Sequence, residues 1–463
     1  MTALWTSAEI EAATGGHASA RFEVSGITFD SREVEAGWLF VAMPGTVADG
    51  HQFVGQAFDR GAAGVLVSQA VDRPHVLVRD VAEALIALAI AARNRMQGKV
   101  LGVTGSVGKT GTKEALAAAL ERRCRDRVHR SLKSYNNHTG VPLSLARMPR
   151  ESEFGVFEMG MNHAGEIRGL TALVRPHVAL ITAIAPSHIE HLGSLEAIAD
   201  AKAEIFEGLE PGGTAIIPND RPHRDRLLRS ARRHAEQIVT FGTGDADVAA
   251  THAVRAESGG SLVTARLLGS DLTYTIGQPG EHWVSNSLAV LAAVEAVGAD
   301  LAAAGLALGE LGGLKGRGER HRIRLADGGQ LLLIDESYNA NPASMAATLK
   351  SLGSERVDGR RIAVLGTMRE LGEFSDEAHA GVAEPMLAAG VATVILVGEE
   401  TRPLQQALAG RIEVVRATDP EDAADALLRT VRGGDAVLVK ASNGVGLARL
   451  VERVAGGAAP CST

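Results

Sequence analysis

Apolar positions along the chain group in two ways. Short unbroken runs rich in Val, Leu and Ile stand at 38–42, 64–67, 75–78, 100–103, 154–158, 178–184, 215–218, 331–334, 361–365, 393–397 and 436–440. Runs this short read as strands buried on both faces, the pattern of parallel sheets covered by helices. Between them, longer patterned stretches predict helices over 52–60, 81–92, 113–122, 165–173, 194–206 and 284–297. Alternation of strand and helix predicts an α/β fold with doubly wound sheets. One stretch differs: 248–276 reads as short antiparallel strands inserted before the helix at 284–297.

Two interruptions divide the pattern. Met96-Gln97-Gly98-Lys99 is one, and Leu311-Gly312-Gly313-Leu314-Lys315-Gly316 is the other. A chain of 463 residues suits about three domains at roughly 150 residues each. The expected limits are 1–96, 97–311 and 312–463, with 455–463 a frayed tail.

Composition narrows the class. Hydrophobic residues at 45% and charged residues at 22% are ordinary for a globular protein and exclude a long disordered or fibrous chain. Aromatic residues reach only 3%, so the core is aliphatic, and 53 glycines imply many tight turns. A net charge of −8 argues against a general nucleic-acid or anionic-membrane surface, but it leaves room for a local basic pocket. Cys124 and Cys461 cannot form a disulfide framework. Residues 1–12 lack a basic start followed by an apolar run, and 81–92 carries Glu83 and is too short to span a bilayer. A cytoplasmic protein with no nucleic-acid or membrane partner is the expectation.

The strongest chemical signal is Gly102-Val103-Thr104-Gly105-Ser106-Val107-Gly108-Lys109-Thr110, between a buried strand and a helix. Backbone N–H groups in such a loop, together with the helix N-terminus, favour phosphate oxygens. Lys109 would reach the β- and γ-phosphates, and the Thr110 hydroxyl would bind Mg²⁺. Phosphate loops of this kind call for a metal-binding acid at the end of a neighbouring strand, and Glu158 closes the run 154–158. His188 follows the run 178–184, at the rim where α/β proteins bind ligands. Lys202 sits within a helical pattern and by itself reads as part of a solvated face.

Together these segments resemble the Mur ligases over nearly the whole chain. The first block carries Asp30-Ser31-Arg32 and Pro44-Gly45, and the second adds Tyr135-Asn136-Asn137-His138-Thr139-Gly140-Val141-Pro142 and Glu158-Met159-Gly160-Met161-Asn162. The third holds Asp335-Glu336-Ser337-Tyr338-Asn339-Ala340-Asn341-Pro342-Ala343-Ser344 and Val439-Lys440-Ala441-Ser442. The segment around Tyr338 points within the family to the branch that adds D-alanyl-D-alanine. The diaminopimelate- or lysine-adding branch is the alternative, and its Asp-Asn-Pro-Arg motif does not occur here.

The resemblance implies a three-domain architecture: a UDP-sugar-binding first domain, an ATP-binding phosphate-loop domain and a Rossmann-like third domain. It implies ATP-dependent amide formation between UDP-N-acetylmuramoyl-tripeptide and D-alanyl-D-alanine through an acyl phosphate, by a monomer. By the same route, Thr104, Gly105, Ser106, Gly108, Lys109, Thr110, Asn286, Arg317, Asp335, Tyr338 and Asn339 become ATP contacts. Ser31, Arg32, Pro44, Gly45, Asn136 and Asn137 become substrate contacts. Thr110, Glu158, His188 and Lys202 become the Mg²⁺ ligands, with Lys202 carbamylated. Lys109, Glu158, His188 and Lys202 carry the chemistry.

Some positions depart from the family pattern, and one alignment is ambiguous. Gly111 stands where a threonine or similar residue is usual, and Trp283 where an asparagine is usual. The phosphate-reaching arginine aligns with either Arg317 or Arg320. Asn443 replaces an arginine near the C-terminus.

Overall fold

The computed structural model describes residues 3–45, 48–186, 189–219, 223–256, 259–325 and 328–456. It contains three larger sheets, each drawn from one stretch of the chain. The first has five strands in the order His17–Ala18, His75–Leu77, Gly64–Val67, Trp38–Val41, Gly26–Thr28; all but the first pairing are parallel. The helix Val81–Arg95 covers this sheet. Its start is fixed by the Asp80 carboxylate, which accepts from the Ala82 and Glu83 amides at 2.7 and 3.0 Å. Leu143 and Ala146 of the helix Gly140–Ala146 belong to the same core, so the first and middle modules share buried apolar surface.

The middle sheet has nine strands. At its heart, Lys99–Thr104 lies between Phe154–Glu158 and Val178–Ile181, both parallel to it. Register places Glu158 beside Val103 and Ile181 beside Thr104, so all three strands deliver their C-terminal ends to one rim. This is where an α/β sheet binds ligands. Apolar layers cover both faces, one built on Leu116, Leu288 and Val290, the other on Ile167, Ile198 and Phe206.

The expected insertion at 248–276 is instead part of this sheet. Its strands Val248–Arg255, Ser261–Arg266 and Asp271–Ile276 are antiparallel to each other, as expected. However, Phe241 and Gly242 pair in parallel with Val248 and Ala249, and that pairing welds them to the parallel strands. Two boundaries also shift. The strand expected over 178–184 ends at Ile181, and the helix expected at 113 starts at Lys109, preceded by Gly108 at φ 82°. Glycines at 108 and 111 mask that start in the pattern, because glycine is a poor helix former.

The last sheet has six strands in the order Glu319–Arg324, Gln330–Glu336, Ala436–Lys440, Arg361–Gly366, Val391–Val397, Glu413–Ala417. The edge strand Glu319–Arg324 is antiparallel and mostly polar, which is why the apolar pattern misses it. No helix among the described residues is long and apolar enough to cross a membrane. Three α/β modules in series are the architecture the sequence implied.

Candidate functional site

The rim of the middle sheet gathers the phosphate loop. After Thr104 the chain turns through Gly105 at φ 150°, where an added Cβ would lie 1.9 Å from the Thr182 hydroxyl. That hydroxyl donates to the Val107 carbonyl at 2.5 Å, and the Ser106 amide donates to Ala183 O at 2.8 Å. The loop is thus bolted to the segment leaving the neighbouring strand. Gly105→Ala should displace it, lowering ATP affinity at least tenfold in calorimetry and lowering the melting temperature.

Lys109 folds back over the loop, its Nζ donating to Gly105 O at 2.7 Å. Burial lowers its pKa, and Glu158 partly opposes that shift. The hydroxyls of Thr104 and Ser106 are buried with no hydrogen-bond partner among the described residues. Buried orphan hydroxyls in a loop of converging amides fit a phosphate.

Glu158 is 1% exposed and anchors the polar cluster beside the loop. One carboxylate oxygen accepts from Thr110 Oγ1 at 2.9 Å, the other from Asn136 Nδ2 at 2.8 Å. An oxygen-rich set of hydroxyl, carboxylate and amide suits a hard cation such as Mg²⁺. His188 lies outside the described residues.

Lys202 departs from the solvated face expected of a lysine. It is 1% exposed on the inner side of the helix Leu195–Ala203, with Ile198 and Ala199. Among the described residues no carboxylate pairs with its ammonium. Burial depresses its pKa well below the usual lysine value, and the Lys109 charge adds to that. The helical period does mark it as inward: Lys202 stands four residues after buried Ile198, whereas the exposed acids Glu196 and Asp200 share the opposite face.

The third module meets this rim through the turn that precedes its first strand. Arg317 lies over the Tyr338 ring, 4.4 Å from its centroid, and donates to Ser134 Oγ at 3.3 Å. Arg320 is held elsewhere, 2.6 Å from Glu355. Of the two arginines, Arg317 is the one that reaches the middle module. Asp335 is buried, and its oxygens accept the Gly316 and Ser337 amides at 2.9 and 3.0 Å. It clasps the turn that presents Arg317. Asn286 packs beside Gly108, whose added Cβ would lie 3.0 Å from Asn286 Oδ1. A cavity of about 150 Å³ lies between the modules, lined among others by Gly108, Trp283, Asn286, Arg317, Asn339 and Lys440. Lys440, which the reading of the sequence gave no role, donates from its buried Nζ to Asn339 O at 2.8 Å.

The expected substrate residues separate. Ser31 donates to Gln56 Oε1 at 2.7 Å, and Arg32 forks onto Asp30 at 2.9 and 2.7 Å with its side chain 81% exposed. Pro44 forms an antiparallel bridge with Asp49. These stay in the first module. Asn136 joins Glu158 instead, and Asn137 Oδ1 accepts the Gly140 amide at 2.8 Å, tying down the start of the next helix. Sequence reading also passed over the segment 131–137 as a unit. Ser131 Oγ accepts the Glu158 amide at 3.2 Å, Lys133 pairs with Glu33, and Tyr135 packs on Phe29 at 5.5 Å between centroids. The fully buried Lys113 of the phosphate-loop helix donates to Ser131 O and Lys133 O at 2.7 and 3.0 Å.

Known proteins share this construction. The chain matches the Mur ligase family catalytic domain over residues 23–132, the Mur ligase middle domain over 103–294 and the Mur ligase glutamate ligase domain over 317–443. It is 36% identical over 437 residues to the UDP-N-acetylmuramoyl-tripeptide--D-alanyl-D-alanine ligase of Bacillus subtilis, covering 93% of each protein. The crystal structure of MurF from Acinetobacter baumannii aligns with a TM-score of 0.83 at 28% identity, covering 98% of this chain and 99% of that one. MurF ligase from Thermotoga maritima in complex with ADP aligns at 0.77 and 28% identity, over 93% and 97%. Fold and sequence agree over nearly the whole length, and the chain belongs to the Mur ligase family.

Proposed function

We propose that the protein joins D-alanyl-D-alanine to the terminal carboxylate of UDP-N-acetylmuramoyl-tripeptide at the expense of ATP, in peptidoglycan precursor synthesis. The observation that carries this is the convergence of Lys109, Thr110, Glu158 and Asn136 at one rim, with Arg317 turned toward it from the third module. The relatives' shared name supplies the substrates, and the ADP-bound neighbour supports the nucleotide.

Hydroxide is a poor leaving group, so carboxylate and amine need an activated intermediate. The tripeptide carboxylate attacks the γ-phosphorus, and ADP leaves. The free amine of D-alanyl-D-alanine then attacks the acyl carbon of the acyl phosphate, and the tetrahedral intermediate loses phosphate and a proton to give the amide. The chain's part is positioning and charge neutralisation. Amides of the loop beyond Ser106 would hold phosphate oxygens, Lys109 would offset their charge, and Arg317 would approach from the other side. Thr110, Glu158, His188 and a carbamylated Lys202 would hold Mg²⁺, which when bound screens the repulsion between carboxylate and phosphate.

Carbamylation fits Lys202, because its depressed pKa favours a neutral amine. The amine takes up CO₂ and loses a proton, converting a buried potential cation into an anionic metal ligand. Residues 1–96 would hold the UDP moiety through the surroundings of Ser31, Arg32, Pro44 and Gly45. Residues 97–311 would hold ATP, and 312–463 would close over it with Tyr338 and Asn339. A monomeric cytoplasmic enzyme completes the reading.

An acceptor-by-donor assay tests it. Purified UDP-N-acetylmuramoyl-tripeptides ending in diaminopimelate or lysine are offered D-alanyl-D-alanine. The matching dipeptide precursor is offered free diaminopimelate or lysine. ADP release and a new amide with D-alanyl-D-alanine are expected; ADP release only with diaminopimelate would overturn the assignment.

A further inference from the structure

The two departures at Gly111 and Trp283 meet in space. A Cβ added at Gly111 would lie 3.1 and 3.3 Å from two indole carbons of Trp283, and these are its nearest neighbours. A larger residue at 111 and this tryptophan therefore compete for one volume. Gly111 sits on the first turn of the phosphate-loop helix. Trp283 and Asn286 are three residues apart on the helix Glu281–Ala296, so they share a face. Asn286 touches Gly108 beside the phosphate loop, and Trp283 lies one turn away, lining the same cavity. The cavity that Gly108 lines at the phosphate loop is also walled by the indole and by Ala343 and Ala347 of the helix Pro342–Gly353.

On the wall contributed by the helix Pro342–Gly353 and its N-cap Asn341, the Ser344 and Thr348 hydroxyls and the Asn341 side-chain oxygen are already bonded. Asn341 Oδ1 accepts the Ser344 amide at 2.8 Å, and Ser344 Oγ donates to Asn341 O at 3.0 Å. Thr348 Oγ1 donates to Ser344 O at 2.9 Å. His282 also lines the cavity, and burial lowers its pKa to about 4. A neutral imidazole offers one donor and one acceptor, exchanged by tautomer, so it can meet either purine edge.

We infer that Trp283, given room by Gly111, is the stacking platform for the nucleotide base, and that this site holds purines by their faces and discriminates weakly between adenine and guanine. Every base presents a π-face, so stacking tolerates changes at the base edge. The inference rests on the ATP-dependent ligase reading.

Nucleotide binding tests it in the intact protein. Of the three tryptophans, Trp5, Trp38 and Trp283, only Trp283 lines this cavity. ADP should therefore change the intrinsic fluorescence of the wild type and not that of Trp283→Phe. By calorimetry, ADP and GDP should bind the wild type within about fivefold of each other. Trp283→Phe should keep both affinities within about threefold, and Trp283→Leu should weaken both about tenfold. Gly111→Ala pushes a methyl group against the indole while favouring the helix. It should weaken both nucleotides without lowering the melting temperature, which separates the effect from misfolding.

A preference for ADP over GDP beyond about a hundredfold would overturn the inference, as would unchanged affinities in Trp283→Leu and Gly111→Ala. With ATP-dependent ligation intact, either result leaves the ligase reading standing. Absence of any ADP binding together with absence of ligation overturns both.

Discussion

Lys109→Met should lower kcat for amide formation by about 100- to 1,000-fold, the usual cost of removing one preorganised charge donor from a phosphoryl-transfer site. The side chain bends over its own loop to Gly105 O and is pressed toward neutrality by burial. Its charge gains full value only when phosphate arrives. Methionine fills similar volume without a desolvated charge, so thermal stability should hold or rise. Coupled ADP release and a melting curve on one preparation check both halves. A large loss of stability alongside the loss of rate would make Lys109 a structural residue instead.

Lys202→Ala should be nearly inactive, with a loss of 1,000-fold or more on the order expected when a metal's anionic ligand is removed. The cause differs from that at Lys109. An unmodified, charged Lys202 would repel both Mg²⁺ and Lys109, whereas its carbamate would attract both. The wild type should therefore lose activity when CO₂ is stripped from the buffer and regain it with bicarbonate. The alanine variant should ignore bicarbonate supplied at the level that restores the wild type, and should recover partly with a short carboxylate such as acetate or propionate, which can enter the space the side chain leaves. Wild-type activity indifferent to CO₂, with no rescue of the variant, would remove carbamylation from the mechanism.

Much of this was legible in the sequence, for identifiable reasons. Parallel strands buried on both faces write themselves as apolar runs, so Phe154–Glu158 and Ala436–Lys440 could be read residue by residue. The edge strand Glu319–Arg324 could not, because an edge needs few apolar residues. Glycine signalled the phosphate loop because only close backbone approach, as at Gly105 against Thr182, demands it there. Lys202 was legible from its place four residues after Ile198 and opposite Glu196 and Asp200, but a lysine's usual preference for solvent outweighed that pattern. The pairing of Arg320 with Glu355, far along the chain, is likewise not written in the local pattern. Asn136 carried a motif but not its partner: its bond to Glu158 spans 22 residues and exists only once two strands lie side by side.

The strap 131–137 has a pharmacological side. One short segment steadies Glu158 through Ser131 and Asn136, grips the first module through Lys133 and Tyr135, and receives Arg317 on Ser134. The acid at the centre is only as well placed as that strap. A small molecule wedged between Phe29 and Tyr135 would therefore loosen Glu158 without entering the phosphate site, and so without competing with nucleotide.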